Sequence, residues 1–472
     1  MSNPYYITST LPYVNADPHI GFALEMVQAD AITRLKRLQG FDVVFNTGTD
    51  EHGLKIYQKA QEQGVDPLTY CDSYAKKFES LKEALSLSYT HFIRTTNPDH
   101  KKAAQEFWKR CADNGYIDKK LYSIKYCVGC ELEKTDSELE DGVCPLHPKM
   151  KLQIYEEENY FFKFSAFQER LLKLYDENPT FVQPNFRLQE IRNFVSGGLE
   201  DFSISRLKKK MPWGIPVPGD DDHVMYVWFD ALINYISTLG WPHGTENFSR
   251  YWPGVQIAGK DNLRQQSAMW QAMLMAAGLP ASKEIIIHGF ITSEGQKMSK
   301  SLGNVVNPYE LVKEFGTDAV RYYLLREIPT FNDGDFSTSR FHELYNADLA
   351  NGLGNLVARV ARLAENARFE TERPTTVSTE VAREVERYQF SHALAAIWDR
   401  INACDVEINK VEPWKLPEGD EKRAFLTKQI QQILQIAFDL RPFLPKTADI
   451  IEKAFSNSVT KPEALFPRLS KV

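Results

Sequence analysis

The sequence predicts an α/β fold in which a Rossmann-like parallel-sheet domain is interrupted by an inserted domain and followed by an α-helical bundle. Three observations predict this fold class. Strand and helix patterns alternate at the start of the chain, the alternation stops and later resumes, and helical spacing alone remains in the last third. One sheet with an insertion fits this order better than two independent domains do.

Residues 1–116 form the first half of the predicted sheet domain. YYITST is rich in strand-forming residues, FALEMVQADAITRLKRL carries apolar residues at helical spacing, and FDVVFNTGTDEHG is a buried strand that ends in a polar turn. Such units build parallel sheets with ligand sites at the carboxyl ends of the strands, so His19 and Asp50 follow neighbouring strand ends. Asp17 is the expected N-cap of the helix, and Pro18 suits its first position.

The following segments differ in character. A group of cysteines, the acidic stretch YEEENY and turn residues around Pro184 indicate a connective insertion over residues 117–222. The α/β pattern resumes over residues 223–292, and residues 293–337 form a separate segment that contains the loop GQKMSKSLGN. Residues 338–472 are predicted to form an α-helical domain, because apolar residues of RAFLTKQIQQILQIAFDL recur at helical spacing. Those residues are Leu426, Ile430, Ile433, Leu434, Ala437 and Phe438.

The composition is that of an ordinary soluble protein. A chain of 472 residues is too long for one core, and 43% of its residues are hydrophobic and 25% are charged. No apolar run is long enough to span a membrane, and MSNPYYITST lacks the regions of a signal peptide, so we expect a cytoplasmic protein. The net charge of −7 argues against indiscriminate nucleic-acid binding but permits a local basic face such as residues 206–210.

Half of the cysteines predict a metal site. Cys127 and Cys130 form one pair at the spacing of metal ligands, and Cys144 with His147 forms a second. Four such ligands complete a tetrahedral Zn²⁺ shell and leave no position for water, so the predicted Zn²⁺ is structural. The alternative, loose thiols in an acidic loop, leaves the paired spacing to chance. The other cysteines are expected to be small buried residues.

Two short segments point to an anion site. In DPHIGF, His19 and Gly21 stand where the start of a helix offers unpaired N–H groups and a positive dipole. In GQKMSKSLGN, Lys297 and Lys300 lie three residues apart, so both ammonium groups can reach one anion. Each segment alone has an ordinary interpretation, as a helix cap and as a solvated loop. Together in one α/β region they indicate a phosphate site.

DPHIGF resembles the HIGH signature of class I aminoacyl-tRNA synthetases, and KMSKS matches the partner signature about 280 residues later. Within that class the chain resembles methionyl-tRNA synthetases along essentially its whole length, including TLPYVNADPHIG, NTGTDEHG, AGKDN and NADLANGLGNLVAR. The resemblance implies a methionine–tRNA ligase. Such an enzyme activates L-methionine with ATP and Mg²⁺ to methionyl adenylate and pyrophosphate, then charges tRNA(Met), the initiator tRNA included.

The resemblance also implies roles for individual residues. His19, Lys297 and Lys300 would be catalytic, because they contact the phosphates of ATP. The expected ATP-binding residues are His19, Gly21, Gly259, Asp261, His288, Ile291, Lys297 and Lys300. The expected methionine-binding residues are Leu11, Tyr13, Asp50, Arg206, Trp228, Ala231, Tyr235, Gln266 and Trp270, with Asp50 receiving the α-ammonium group. The residues expected to read the anticodon are Asn355, Arg359 and Trp414, and residues 293–337 are expected to hold the KMSKS loop and the region that contacts the tRNA stem.

One departure from the family pattern concerns the methionine pocket. Asn262, Gln265 and Gln266 stand where familiar relatives have an apolar, an aromatic and a histidine residue. We expect the glutamines to hydrogen-bond a tyrosine hydroxyl, such as that of Tyr13 or Tyr235, and so to keep the shape of the pocket.

Two other functions stay open at this point. The unusual segment 262–266 leaves room for a class I synthetase of another aliphatic amino acid. Phe22 stands where many relatives carry a second histidine, and the loss of that phosphate donor leaves room for a non-catalytic tRNA-binding relative. The appended oligomerisation module of some relatives is missing, so we expect a monomer.

Overall fold

The computed structural model describes residues 2–130, 132–134, 138–298, 303–365, 367–456 and 458–470. Its strands are β1 (Pro4–Thr8), β2 (Asp42–Thr49), β3 (His91–Arg94), β4 (Ile117–Cys127), β5 (Leu132–Glu133), β6 (Gln153–Phe162), β7 (Val182–Gln183), β8 (Phe202–Ser203), β9 (Ser205–Leu207), β10 (Pro216–Val217), β11 (Asp220–Met225), β12 (Val255–Gly259), β13 (Glu284–His288), β14 (Ile291–Ser293) and β15 (Gly334–Phe336). The central sheet has the order β3-β2-β1-β12-β13-β7, and every neighbouring pair is parallel. The predicted Rossmann-like sheet is confirmed.

The strand order reverses at the centre of this sheet. β1 pairs with β2 on one side, where Ile7 lies opposite Phe45, and with β12 on the other, where Ile7 lies opposite Val255. Connections leave the two halves in opposite directions, so a crevice opens at the carboxyl ends of β1 and β12.

The segment between β3 and β12 builds a second, antiparallel sheet. β4 and β6 pair from Ile117 opposite Phe162 to Tyr126 opposite Gln153, and β5 and β8 flank them. β7 lies in the same segment of the chain but pairs with β13. The connective region is therefore joined to the central sheet through an edge strand of that sheet.

Helices surround the sheets and make up the last third of the described chain. They are α1 (Ile20–Leu38), α2 (Leu54–Glu62), α3 (Pro67–Ala84), α4 (Pro98–Asp113), α5 (Gln168–Glu177), α6 (Asn185–Ser196), α7 (Val227–Ala231), α8 (Asn234–Ser237), α9 (Thr245–Tyr251), α10 (Trp270–Ala276), α11 (Pro308–Phe315), α12 (Thr317–Arg326), α13 (Thr338–Leu344), α14 (Asn355–Leu363), α15 (Thr379–Glu386), α16 (Phe390–Val411), α17 (Asp420–Leu440) and α18 (Pro445–Ala454). The apolar positions chosen from the sequence of α17 are all buried, as are Cys71, Cys111 and Cys404. Among the described residues, no helix is long and apolar enough to cross a membrane.

Helix α1 begins later than the sequence predicts. His19 is extended, with φ −125° and ψ 168°, and serves as the N-cap, because its Nδ1 accepts a hydrogen bond of 3.1 Å from the Gly21 N–H. Asp17, the predicted N-cap, instead forms an exposed ion pair of 2.6 Å with Lys77. The prediction for Asp17 was wrong because an N-cap directly precedes its helix, and this helix starts at Ile20.

Arg321 of α12 joins the sheet domain to the helical domain. Its side chain is fully buried, and its Nη1 forms an ion pair of 2.8 Å with Asp30 of α1. Its Nε donates to the Phe443 carbonyl at 2.6 Å, and its Nη2 donates to the Pro442 carbonyl at 3.0 Å. The rigid fork of guanidinium donors therefore fixes the connection between α17 and α18 relative to α1.

Candidate active site

A cavity of about 870 Å³ lies at the carboxyl ends of β1, β2, β12 and β13. Most residues expected to bind substrate line it. They are Leu11, Tyr13, His19, Gly21, Asp50, Trp228, Ala231, Tyr235, Gly259, Asp261, Gln266, His288, Ile291 and Lys297. Lys300 lies outside the residues that the structure describes. DPHIGF and the start of the KMSKS loop thus meet in one cavity.

His19 presents one ring nitrogen to the helix and leaves the other for a ligand. Because Nδ1 accepts from the Gly21 N–H, the neutral ring carries its hydrogen on Nε2. Desolvation within the cavity lowers the pKa of His19, which favours the neutral ring. A Cβ at position 21 would lie 3.0 Å from Cε1 of the ring, so glycine leaves room for the imidazole. His19 can therefore donate from Nε2 to a phosphate oxygen.

The backbone N–H groups at the start of α1 already have acceptors. The pairs are Ile20 N with Val306 O, Gly21 N with His19 Nδ1, and Phe22 N and Ala23 N with His19 O, at 3.0 to 3.1 Å. The expectation of unpaired N–H groups was therefore wrong for this helix end, because its own cap and a neighbouring loop satisfy them. A bound anion would depend on the His19 ring, on Lys297 and on the helix dipole.

Phe22 lines the cavity beside this helix end. Its ring meets Phe78 edge-on, with 5.4 Å between the centroids and 83° between the planes. Such a pair stabilises a fold by about 0.5–1.5 kcal/mol beyond its buried area. Where many relatives carry a second histidine, this chain has an apolar wall with a packing role.

Glu25 is a cavity residue that sequence reasoning missed. Its Oε1 accepts two hydrogen bonds of 2.7 Å from Thr10, and its Oε2 lies 3.0 Å from Nε2 of His288. Nδ1 of His288 lies 2.7 Å from the Gly289 carbonyl oxygen, so both ring nitrogens face acceptors. Burial opposes a charge on this ring, but the carboxylate and the carbonyl outweigh burial and raise the pKa of His288. The sequence did contain one signal for this role, because Glu25 is a carboxylate among the apolar residues of α1.

Asp261 presents a carboxylate to the cavity just after β12. A Cβ at Gly259 would lie 2.8 Å from its Oδ1, so glycine at that position makes space for the carboxylate. Burial raises the pKa of Asp261, and Asn262 donates a hydrogen bond of 3.3 Å to its Oδ1. The two oxygens can accept hydrogen bonds from neighbouring hydroxyl groups, such as those of a ribose.

Another part of the cavity lining is apolar and aromatic. Its lining includes Leu11, Tyr13, Trp228 and Ala231. Tyr13 and Trp228 pack against a small buried cluster that includes Tyr126 of β4, so this wall continues into the connective region. Asp50 follows β2, forms a backbone bridge with Tyr13 and is 9% exposed. A recessed carboxylate therefore stands beside an apolar pocket.

Gln266 makes the hydrogen bond that the sequence predicts. Its Nε2 donates to the Tyr235 hydroxyl at 2.7 Å, and Nε2 of Gln256 donates to its Oε1 at 3.2 Å. Gln265 is also buried but does not line the cavity, whereas Asn262 does. Tyr235 thus keeps a polar partner although this chain lacks the histidine found in familiar relatives.

Two residues expected in the methionine site lie behind the cavity wall. Trp270 is fully buried, with its ring stacked on Phe107 at 5.7 Å and tilted against Tyr235 at 5.9 Å. Arg206 is buried and is not part of the lining, and its Nη1 donates to the Ser203 hydroxyl and to the Ser205 carbonyl, each at 2.7 Å. Both residues would therefore act on a ligand through their neighbours.

Cys127, Cys130, Cys144 and His147 converge, with one ligand atom from each lying within 4.8 Å of the others. Sγ of Cys130 lies 3.1 Å from Nδ1 of His147 and 3.4 Å from Sγ of Cys144. A Cβ at Gly129 would lie 2.5 Å from the His147 ring, so the histidine requires glycine there. This group can hold a metal ion. Gly129 and Cys130 also line the cavity, so this metal site, called the metal knuckle below, forms part of the cavity wall.

The residues expected to read an anticodon lie in the helical domain. Arg359 of α14 pairs with Asp405 at 2.9 Å, and its guanidinium lies 5.8 Å from the centre of the Trp414 ring. Trp414 is 50% exposed, and Asn355 lies exposed one turn earlier on α14. An exposed indole beside a guanidinium plane can stack on unpaired bases.

Comparison with known proteins decides the family. A family model described as tRNA synthetases class I (M) matches residues 5–153 and 133–361. The chain belongs to the class I methionyl-tRNA synthetases. The methionine–tRNA ligase of Thermotoga maritima is 40% identical over 96% of this chain and 75% of its own length. The methionine–tRNA ligase of Synechocystis sp. is 41% identical over 94% of this chain and 87% of its own length.

Solved structures of methionyl-tRNA synthetases share this architecture. The Mycobacterium tuberculosis enzyme in complex with methionyl-adenylate has a TM-score of 0.90 and 36% identity, covering 99% of this chain and 100% of that chain. Its free state has a TM-score of 0.84 and 33% identity, covering 100% and 99%. The likeness therefore includes the cavity, the connective region and the helical domain.

Proposed function

We propose that this chain is a methionine–tRNA ligase, which joins L-methionine to ATP as methionyl adenylate, releases pyrophosphate and transfers methionine to the 3′ end of tRNA(Met). The observation that carries the proposal is the meeting of His19, Asp50 and Lys297 in one cavity of a class I synthetase. Groups suited to phosphate and a group suited to an ammonium thereby share one pocket, which the formation of an adenylate requires.

The chemistry needs no covalent enzyme intermediate. The methionine carboxylate attacks the α-phosphorus of ATP, the bond to the β-phosphate oxygen breaks, and pyrophosphate leaves. Positioning and stabilisation of the growing negative charge supply the catalysis. His19 donates from Nε2 to the reacting phosphate, while Lys297 and Lys300 hold the pyrophosphate end. Mg²⁺ bound with ATP would supply further positive charge to the phosphates.

The two substrates occupy opposite ends of the cavity. Asp50 receives the α-ammonium of methionine in a charge-assisted hydrogen bond. The methionine side chain lies among Leu11, Tyr13, Trp228, Ala231 and Tyr235, with Arg206, Gln266 and Trp270 supporting that wall. Gly259 and Asp261 hold the ribose, Gly21 approaches the nucleotide, and His288 with Ile291 borders the adenine. Aromatic and apolar walls suit a polarizable thioether.

The family relationship supports the remaining parts of the proposal. Zn²⁺ binds Cys127, Cys130, Cys144 and His147, one ion per chain, as a structural element. Asn355, Arg359 and Trp414 read the CAU anticodon of elongator and initiator tRNA(Met). The protein works as a monomer in the cytoplasm.

ATP–pyrophosphate exchange with methionine, leucine, isoleucine and homocysteine tests the proposal. We expect exchange to depend on methionine and to be weaker with homocysteine, since one methylene discriminates by only about 1–3 kcal/mol. A preference for leucine or isoleucine would establish a synthetase of another aliphatic amino acid. Exchange with none of them would favour a non-catalytic tRNA-binding relative.

A further inference from the structure

Three buried titratable side chains take no part in the proposed reaction. They are His52, Asp230 and His100, each at most 1% exposed, and none of them lines the cavity. Nδ1 of His52 lies 2.6 Å from Oδ2 of Asp230, and Nε2 of His100 lies 2.8 Å from Oδ1 of the same carboxylate. A charged group in the interior is costly unless it is paired, so a carboxylate with a partner for each oxygen requires an explanation.

Asp230 is the acceptor in both contacts. Burial opposes its charge, but His52 and His100 outweigh burial and lower the pKa of Asp230 to about 2. An ionised carboxylate only accepts hydrogen bonds, so Nδ1 of His52 and Nε2 of His100 carry the hydrogens. The Ser237 hydroxyl lies 2.9 Å from Nδ1 of His100. Bonds to a charged acceptor are about twice as strong as neutral ones, so Asp230 is held firmly from both sides.

Asp230 belongs to α7, the short helix that carries part of the apolar wall of the cavity. Trp228 and Ala231 of this helix line the cavity, whereas Asp230 is fully buried and does not. His100 lies in the first turn of α4, and Ser237 ends α8, so the contacts of Asp230 also join α7 to these two helices. A shift of Asp230 would therefore move the wall that faces the methionine side chain.

His52 belongs to the loop that carries Asp50, two residues earlier. Between them, the Glu51 carboxylate accepts hydrogen bonds from Nε of Arg94 at 2.7 Å and from Nη2 at 3.0 Å, so the loop is tied to β3. The Trp213 indole donates to the Glu51 carbonyl at 2.6 Å, and its ring lies 5.4 Å from the His52 ring. The backbone that follows Asp50 is therefore held in place, and His52 links it to α7.

We propose that the hydrogen bond between His52 and Asp230 is a positioning contact, which fixes the distance between the ammonium site at Asp50 and the apolar wall on α7. This inference rests on the proposed function, which assigns the two ends of methionine to these two places. When both contacts of a ligand are held at the right spacing, the second contact costs little further freedom. The pair therefore favours a ligand with both an ammonium group and a thioether side chain over a ligand with the side chain alone.

The test measures competitive inhibition of methionine-dependent ATP–pyrophosphate exchange by the full chain. Methioninol has both the ammonium group and the side chain, whereas its deaminated analogue, methylthiobutanol, has the side chain alone. His52→Phe keeps a ring but removes the donor. It should raise the inhibition constant of methioninol about fivefold, the effect of one modest hydrogen bond. The inhibition constant of methylthiobutanol and the KM of ATP should stay unchanged.

Two further variants and a control separate the hydrogen bond from packing. His52→Asn supplies an amide N–H in place of Nδ1, so it should keep the affinity for methioninol although it lacks the ring. Asp230→Asn keeps the shape of the acceptor but removes its charge, and should raise the inhibition constant of methioninol about twofold. His223→Phe is the matched control, because His223 is 3% exposed and its Nε2 lies 2.8 Å from the Glu158 carbonyl oxygen, outside the cavity. It should leave both inhibition constants unchanged.

Several outcomes would overturn the positioning role. Equal losses with both inhibitors would mean that the pair only shapes the apolar wall. A loss in His52→Asn as large as in His52→Phe would assign the effect to packing of the ring against Trp213. Thermal unfolding checks each variant, and Asp230→Asn decides if His52→Phe does not fold. Absence of methionine-dependent exchange in the wild type would overturn the proposed function itself, whereas normal exchange with unchanged inhibition constants in the variants would overturn the positioning role alone.

Discussion

The two ends of the cavity are built from different chemistry. The end assigned to the nucleotide carries the titratable groups of His19, Glu25, Asp261, His288 and Lys297. The end assigned to the methionine side chain is lined by neutral aromatic and apolar residues, with hydrogen bonds between amides and a hydroxyl behind them. Fixed charge suits a transition state in which negative charge grows, and a neutral wall suits a thioether.

The two ends also differ in how they tolerate a change of sequence. At the charged end, Gly21 leaves room for the His19 ring and Gly259 leaves room for the Asp261 carboxylate, so the backbone there is adapted to two particular side chains. At the neutral end, Gln266 provides Tyr235 with a donor where relatives use another residue type. Substitutions should therefore cost most where they remove a charge or a donor to the reacting phosphate.

The largest loss is expected from Asp50→Asn, which removes the charge that faces the ammonium of methionine. Truncating one partner of a buried charge pair costs about 2–5 kcal/mol, so kcat/KM in pyrophosphate exchange should fall about 30- to 4,000-fold. Asp42→Asn is the matched control, because Asp42 begins the same strand and pairs with Arg250 at 2.6 Å outside the cavity. Equal losses in the two variants would contradict the role of Asp50.

His19→Asn separates the two functions of the imidazole. Asparagine is a good N-cap but lacks the Nε2 donor, so exchange should slow about 100-fold while the free energy of unfolding stays within about 0.5 kcal/mol. His19→Ala should lose the rate and also about 1 kcal/mol of stability. Exchange rates and urea unfolding of both variants provide the measurement. A normal exchange rate in His19→Asn would mean that the imidazole serves only as the N-cap of α1.

Gly129→Ala tests whether the metal knuckle supports the neutral end. The new methyl group would meet the His147 ring at 2.5 Å, so Zn²⁺ affinity should fall about 10- to 100-fold in chelator competition. The KM of methionine should rise more than that of ATP, because Trp228 packs against the same region. At Gly419 an added methyl group meets nothing within 4 Å, so Gly419→Ala is the control. Unchanged metal binding and an unchanged KM of methionine would mean that the metal site does not support the neutral end of the cavity.

The smallest effect is expected from pH. Because its folded pKa is raised above the ordinary 6.5, His288 binds its proton more tightly in the folded than in the unfolded chain. Its stabilising effect is full below pH 6.5 and disappears as the pH rises through the raised pKa. The difference in unfolding free energy between the wild type and His288→Asn should accordingly be largest in acid and shrink in alkali. A flat difference across pH would mean that the contact with Glu25 is not ionic.

Most of the fold could be predicted because its causes are local. Each buried segment shows its burial in its own residues. β2 and β13 are apolar runs, and α17 has apolar residues at helical spacing. β7 could not be predicted, because two residues, Val182 and Gln183, have no periodicity and their pairing with β13 is long-range. Local patterns reveal elements, whereas distant partners become visible only in the folded chain.

The site was predictable to the extent that motifs place residues at strand ends. Glu25 was missed because a carboxylate within a helix has no motif until the partner histidine is known. His19 and Asp17 both have side chains that can cap, so the sequence alone could not choose between them. Trp270 could not be placed, because an aromatic residue in the wall and one stacked behind the wall have the same sequence pattern.

Arg321 ties the helical domain to the helix that begins at the reaction cavity. The helix that carries His19 at its start carries Asp30 in its middle, and Arg321 ties Asp30 to the carbonyl groups of the helical domain. These contacts connect the part of the molecule that holds the reaction cavity to the helical domain that carries the exposed Trp414. A tRNA that enters the reaction cavity can also contact Trp414 only if its length and bend match the distance between these two places. Overall dimensions, in addition to base identity, would then decide which tRNA is charged.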